Sequence, residues 1–231
     1  MPIPAHILSG LAGGAAKLGT PAGYTGYGAE QGVKELREKI AKNLYDGLIE
    51  PEEVFVSDGA KCDIARLQLM FGSKVVSAVQ DPSYPVYVDT SVMLGQTGDI
   101  DPASKQFKNI VYMPCNPSND FFPDLSSLPH ADVIYFCSPN NPTGAVATRK
   151  QLTDLVNHAK EKGSFVVFDA AYAPFIRSPG ETAVDIDKRP TVHLVSMSCN
   201  EIPTVHLTCR CHVTQMYRRV SLKSLGRRMS P

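Results

Sequence analysis

Two hydrophobic patterns alternate along most of this chain. In the first, apolar residues return every three or four positions. Val33, Leu36, Ile40 and Leu44 do so against the charges of KELREK, and Ile64, Leu67, Met70 and Phe71 do so within KCDIARLQLMFG. Leu152, Leu155, Val156 and Ala159 repeat it within TRKQLTDLVNHAKEKG. This spacing predicts helices with one buried face. Gly72 and Gly163 mark their ends, and Thr148 with Gln151 forms a capping box at the start of the last. The second pattern is the short unbroken apolar run: EVFVSDG, KVVSAVQDP, NIVYMPC, ADVIYFCSP and SFVVFDAAY. Such runs suit strands covered on both faces. YPVYVDTSVMLG reads as a further helix opened by proline, and residues 1–28, rich in Gly, Pro and small residues, read as an irregular loop. Strands alternating with helices predict an α/β fold with a mainly parallel sheet. Beyond Pro179 neither pattern is sustained.

Composition changes this picture only at the end of the chain. The 231 residues are 43% hydrophobic and 20% charged, an ordinary balance for a packed core. Lys plus Arg equals Asp plus Glu at 23 each, so the totals do not point to nucleic acid. Beyond Glu201, however, no acidic residue stands against Arg210, Arg218, Arg219, Lys223, Arg227 and Arg228. Six scattered cysteines read as reduced thiols. No apolar run approaches the roughly 18 residues of a membrane span, and the start has neither a secretory signal nor a visible transit peptide. The thiols point to an intracellular compartment; which one the sequence leaves unknown, the cytoplasm being expected if the chain is expressed as it stands.

Ligands of open parallel sheets bind beyond the carboxyl ends of the strands. Four groups fall there. Gly59, Ala60 and Lys61 open a helix after a strand, where free N–H groups suit a phosphate, although a tight turn needs the same residues. Tyr84 in DPSYP can stack on a planar ring or simply pack at the rim. Asn141 in NNPTG can donate to an oxyanion or merely build a turn. Asp169, followed by Tyr172, is a carboxylate carried to the end of an apolar strand. It must be hydrogen-bonded or paired there, whether by a protonated ring nitrogen or by a helix cap or ion pair.

SDGAK, DPSYP, SPNNPTG and DAAY, in this order and setting, resemble the large domain of the fold-type I, pyridoxal-phosphate-dependent aminotransferases of class I/II. GYGAEQG, FVSDGAKCDI, QDPSYPVYVD, FFPDL and FCSPNNPTG look like the LL-diaminopimelate aminotransferase type, and IVYMPCNPSNDFFPDL lies near its defence-related plant relative, which acts on lysine. The resemblance implies a three-layer αβα PLP-transferase domain, partial, over residues 1–180. It implies pyridoxal 5'-phosphate as cofactor, with its phosphate at Gly59, Ala60 and Lys61 and its ring under Tyr84. Asn141 and Tyr172 would bond its phenolic oxygen, and Asp169 would face its ring nitrogen. Tyr27, or its neighbour Tyr24, matches a tyrosine that reaches the adjacent subunit's phosphate, which implies a homodimer with amino acid and oxo acid substrates.

The family's Schiff-base lysine sits in an S-F-S-K motif some thirty-odd residues beyond the aspartate. That distance here reaches SCNEIPTVH, which has no lysine; Lys188 and Lys223 lack the motif. No catalytic residue is therefore assigned, and the chain is expected to be truncated at both ends and impaired in transamination. Residues 181–231 are expected to form an aberrant, disordered tail of out-of-frame or retained-intron origin. Within Pro190–Leu194 a one-base shift of one codon choice restores Pro-Arg-Ser-Ile, similar to a family run. The alternative reading is a non-catalytic splice form that dimerises with the full-length enzyme. His206, Cys209, Cys211 and His212 in HLTCRCH are metal-ligand types at an awkward spacing, so no metal site is expected.

Overall fold

The unbroken apolar runs become the strands of one sheet, because only a doubly covered sheet can bury every side chain of such a run. In the computed structural model, residues 3–176 are described together with two further strands, 191–197 and 211–215, as backbone. The strands are β1 (Val54–Ser57), β2 (Ser77–Asp81), β3 (Ile110–Pro114), β4 (Val133–Cys137), β5 (Phe165–Asp169), β6 (Thr191–Met197) and β7 (Cys211–Gln215). Their order across the sheet is β1-β7-β6-β5-β4-β2-β3. The pairs β2–β3, β2–β4, β4–β5 and β5–β6 are parallel, and β7 runs antiparallel to both β6 and β1. β6 and β7 fall in the stretch where no period was legible. The remaining residues beyond 176, with Lys188, Lys223, His206 and Cys209, lie outside the described residues.

Alternate positions along the strands point to opposite faces and build two cores. Val79, Tyr135 and Val167 meet Ile64 and Leu67 of α3 (Ala60–Phe71) and Val86 and Tyr87 of α4 (Val86–Met93). Ala78, Ile134, Phe136, Val166 and Phe168 meet Leu152, Leu155 and Ala159 of α5 (Arg149–Lys162). Helices on both faces of a mainly parallel sheet make the three-layer αβα arrangement. The α5 cap is as expected: the Thr148 side chain accepts from Gln151 N–H, and Gln151 accepts from Thr148 N–H at 2.8 Å. Gly163 ends the helix at φ +68°.

Three readings require correction. Residues 1–28 are not all irregular, since Ala5–Leu18 form helix α1. The helix-favouring alanines and the burial of Ile7 stand against the roughly 1 kcal/mol that each of Gly10, Gly13 and Gly14 costs a helix. Val33 precedes α2 (Lys34–Tyr45) and is exposed; Leu36, Ile40 and Leu44 pack on the core as expected, and the helix also buries Ala41 and Tyr45. On α3, Met70 is exposed and Gln68 takes the buried position.

That glutamine ties the helices together. Gln68 Nε2 donates to Tyr87 O (2.9 Å) and Ser91 Oγ (3.0 Å), and Gln96 Nε2 donates to Gln68 O (2.7 Å) and Gly72 O (2.8 Å). Through these buried amide N–H groups α4 is held against α3, which sets where the residues of the DPSYPVY stretch stand.

Gly32, in the loop that lies on β1, has φ +95°, and a Cβ there would stand 2.6 Å from Val56 Cβ. We expect Gly32→Ala to lose about 2 kcal/mol or more, from left-handed strain plus overpacking. Gly47→Ala, at φ +72° with open space around it, should lose about 1 kcal/mol from strain alone. Urea unfolding of the two variants measures the difference.

Candidate functional site

The chain turns from strand to helix or loop at the carboxyl ends of β1, β2, β4 and β5, and these turns enclose a cavity of about 330 Å³. That is within the range of small-molecule clefts, roughly 300–1,000 Å³. Asp58, Gly59, Ala60, Lys61, Cys62, Tyr84, Cys137, Asn141, Asp169, Ala171 and Tyr172 line it. Gly59, Ala60, Lys61, Tyr84, Asn141, Asp169 and Tyr172 are thus brought to one place from four separate turns. Tyr24 and Tyr27 are not among them; both are exposed.

One end of the cavity is built for an anion. Gly59 precedes α3 at φ 147°, ψ 144°, a conformation that favours glycine, and no side chain caps the helix. The first N–H groups of α3 have no partner within the helix, and its dipole places partial positive charge there. Lys61 adds a full charge at the rim. Behind the turn, Arg66 bridges Asp58 at 2.7 Å and Asp63 at 3.2 Å, and Ser57 Oγ donates to Asp63. The hydrogen bond from Arg66 holds the Asp58 carboxyl below its usual value. The acidic groups beside the anion end are therefore engaged by Arg66 and Ser57.

The cavity is also lined by a buried carboxylate. Asp169 is only 4% exposed; its Oδ1 accepts from Ala171 N–H at 3.0 Å and its Oδ2 from Tyr87 Oη–H at 2.6 Å. Cys137 pairs with Asp169 in the β4–β5 register, and its N–H donates to Gln80 Oε1 at 2.7 Å. Burial first, then the Asp169 charge, pushes the Cys137 thiol up to about 12, so it stays protonated and donates to Pro139 O. The two asparagines of NNPTG divide their work. Asn140 Nδ2 donates to Pro82 O (3.0 Å) and Thr143 Oγ1 (3.0 Å), clamping the loop to the DPSYP turn. Asn141 lines the cavity beside it.

Tyr87 escaped the sequence reading. Tyr84 and Tyr87 stand one helical turn apart in YPVY, and that spacing was the available signal. The sequence places Tyr87 only within the helix YPVYVDTSVMLG, and nothing local indicates that its hydroxyl meets a carboxylate 82 positions further on.

The cysteines give a simple check of the site. Cys115 and Cys137 are buried with thiols raised by burial to about 11 and about 12, whereas Cys62 is half-buried on the cavity wall. Iodoacetamide at pH 8 followed by peptide mass mapping should label Cys62, leaving Cys115 and Cys137 unlabelled until the chain is denatured.

The sequence profile described as aminotransferase class I and II matches residues 12–200. The chloroplastic LL-diaminopimelate aminotransferase of Arabidopsis thaliana is 60% identical over 176 residues, which are 76% of this chain and 38% of that protein. The LL-diaminopimelate aminotransferase of Protochlamydia amoebophila is 54% identical over 177 residues, covering 77% of this chain and 43% of that one. The solved structure of L,L-diaminopimelate aminotransferase from Chlamydomonas reinhardtii superposes with a TM-score of 0.82 at 51% identity, over 93% of this chain and 53% of that chain. A Thermus thermophilus aspartate aminotransferase double mutant shares the fold at TM-score 0.76 and 22% identity. The chain thus spans about 38–53% of the length of the diaminopimelate relatives it matches.

Proposed function

Because the chain belongs to the class I and II aminotransferases, a family that works with pyridoxal 5'-phosphate, we propose that its cavity binds that cofactor and that the chain is of LL-diaminopimelate aminotransferase type. The observation that carries the reading is the pairing of an uncapped helix N-terminus with a buried carboxylate in one cavity of suitable size. A phosphate fits the first and a protonated ring nitrogen the second. Gly59, Ala60 and Lys61 would hold the phosphate, and Tyr84 the ring face. Asn141 and Tyr172 would hold the phenolic oxygen, and Asp169 the ring nitrogen.

When bound, the cofactor supplies an electron sink for the substrate's amino-bearing carbon. The residues of this chain bind and orient it, and Asp169 keeps a proton on the ring nitrogen. Moving a proton at the substrate carbon needs an amine, and beyond Asp169 the chain offers only Lys188 and Lys223, neither in an S-F-S-K setting. Our reading is therefore a cofactor-binding aminotransferase chain, descended from enzymes that pass the amino group of diaminopimelate or lysine to an oxo acid, with impaired transamination.

A second reading has support in exposed apolar side chains. Ile3 ahead of α1, Leu8 and Leu18 on it, and Tyr24 and Tyr27 in the loop after it are exposed, which suits contact with a second chain. On this reading the chain is a non-catalytic form that pairs with the full-length enzyme.

Titration with pyridoxal 5'-phosphate, followed by borohydride reduction and peptide mapping, tests the first reading. The expected result is saturable binding with nothing fixed covalently. Absence of saturable binding overturns the cofactor assignment. Fixation at Lys188 or Lys223 keeps that assignment and overturns the impairment. Co-expression with a full-length relative and pull-down tests the second reading, and no association removes it.

A further inference from the structure

The Tyr87 phenol is held on every side. It is 1% exposed, its ring is stacked on Tyr135 (centroids 5.1 Å apart, planes at 18°), and it stands edge-on to Tyr84 (5.9 Å, 87°). Its backbone carbonyl is tied to Gln68 of α3. The ring therefore cannot swing, and its hydroxyl points at Asp169 Oδ2 at 2.6 Å. Burial first, then the charge of Asp169, pushes the phenol well above its ordinary value, so it remains an O–H donor.

A carboxylate rotates freely about its last bond unless its oxygens are distinguished, and χ2 of aspartate is a broad torsion. Here the two oxygens are told apart. One belongs to the Ala171 N–H at the end of β5, and the other to a phenol from α4 on the next layer. A bare satisfaction of a buried hydroxyl would need only some acceptor, such as a backbone carbonyl. This donor instead meets the buried Asp169 carboxylate, which lines the cavity, and it sits one helical turn from Tyr84, which lines the same cavity.

We propose that Tyr87 is the positioning residue of Asp169: its hydroxyl fixes the carboxylate in the orientation that receives the protonated ring nitrogen of bound pyridoxal 5'-phosphate. This rests on the cofactor reading above and adds to it a residue that touches Asp169 rather than the cofactor.

Tyr87→Phe removes one oxygen and keeps the stacked ring. The full chain, this variant, Asp169→Ala and the double variant are each titrated with two probes. These are pyridoxal 5'-phosphate and its deaza analogue, in which carbon replaces the ring nitrogen. A residue that acts through Asp169 on the ring nitrogen affects only the first probe. Tyr87→Phe should weaken the parent compound roughly tenfold, the size of one lost hydrogen bond to a charged group. Binding of the deaza analogue should change by less than about twofold. In the Asp169→Ala background the same change should have no further effect on the parent, as expected for two residues acting as one unit.

Each ratio of parent to deaza binding comes from one sample, so a partly folded variant still reports it. Equal loss for both probes, no loss for either, or an additive effect in the double variant would overturn the proposal while leaving the cofactor reading in place. No saturable binding of the parent by the unaltered chain would overturn both.

Discussion

Asp169→Ala should weaken pyridoxal 5'-phosphate about 30-fold and destabilise the ligand-free chain at the same time. The first effect follows from losing a charged partner for the ring nitrogen, a hydrogen bond of about 1.5–3 kcal/mol, where each 1.4 kcal/mol is tenfold. The second follows from the Tyr87 hydroxyl, which loses its acceptor inside the protein. A buried donor left without a partner costs about 1–3 kcal/mol. Asp169→Asn separates the two effects. Its amide oxygen still accepts from one of the two donors, Tyr87 or Ala171, so stability falls less than with alanine. Its neutrality cannot hold a proton on the ring nitrogen, so binding falls as far. Thermal melting gives the first quantity and absorbance titration the second. Equal stability losses for the two variants would show that the Tyr87 hydroxyl is satisfied some other way.

The largest stability loss should come from Phe136→Ala. Phe136 is the fourth of the five residues of β4, every one of which is buried. It stacks with Phe168 of β5 (6.4 Å, 17°) and meets Phe122 edge-on (5.8 Å, 63°), in the core that also holds Leu152 and Leu155 of α5. Removing the ring leaves a void bounded by Phe168 on β5 and by Phe122 of the segment between β3 and β4, and the paired strands around it collapse poorly. Phe to Ala in such a site costs about 3–5 kcal/mol, a large part of a typical domain's 5–15 kcal/mol. Phe136→Leu, which keeps much of the volume, should lose about 1–2 kcal/mol. Urea unfolding at equilibrium distinguishes them, and similar losses for both would mean that the site relaxes around the cavity.

Much of the fold was legible because its signals are local. VIYFC could be read as a buried strand from five apolar residues in a row, and α5 from a capping box, a four-residue apolar face and a terminal glycine. The site residues were legible for a related reason, since Gly59–Lys61, Tyr84, Asn141 and Asp169 each end a strand and parallel sheets present such ends on one edge. Where reading failed, the competing signal was not local. Helix α1 was hidden by glycines whose cost the buried Ile7 and neighbouring alanines offset. Met70 and Gln68 exchanged expected places because the α3–α4 contact needs an amide to join two backbones, which hydrophobicity alone does not reveal.

By itself, then, the order of residues determined the α/β class, five of the seven strands among the described residues, most of their helices and the turns where a ligand would be met. It did so because period, caps and strand ends are written within a dozen residues. Only the tertiary structure decided that these turns close around one cavity. It also decided that the β1 edge is paired by an antiparallel strand, and that the Tyr87 hydroxyl faces Asp169. Those outcomes depend on register and helix placement between segments far apart in the chain, and in a strand a shift of one residue turns a side chain such as that of Asp169 to the other face.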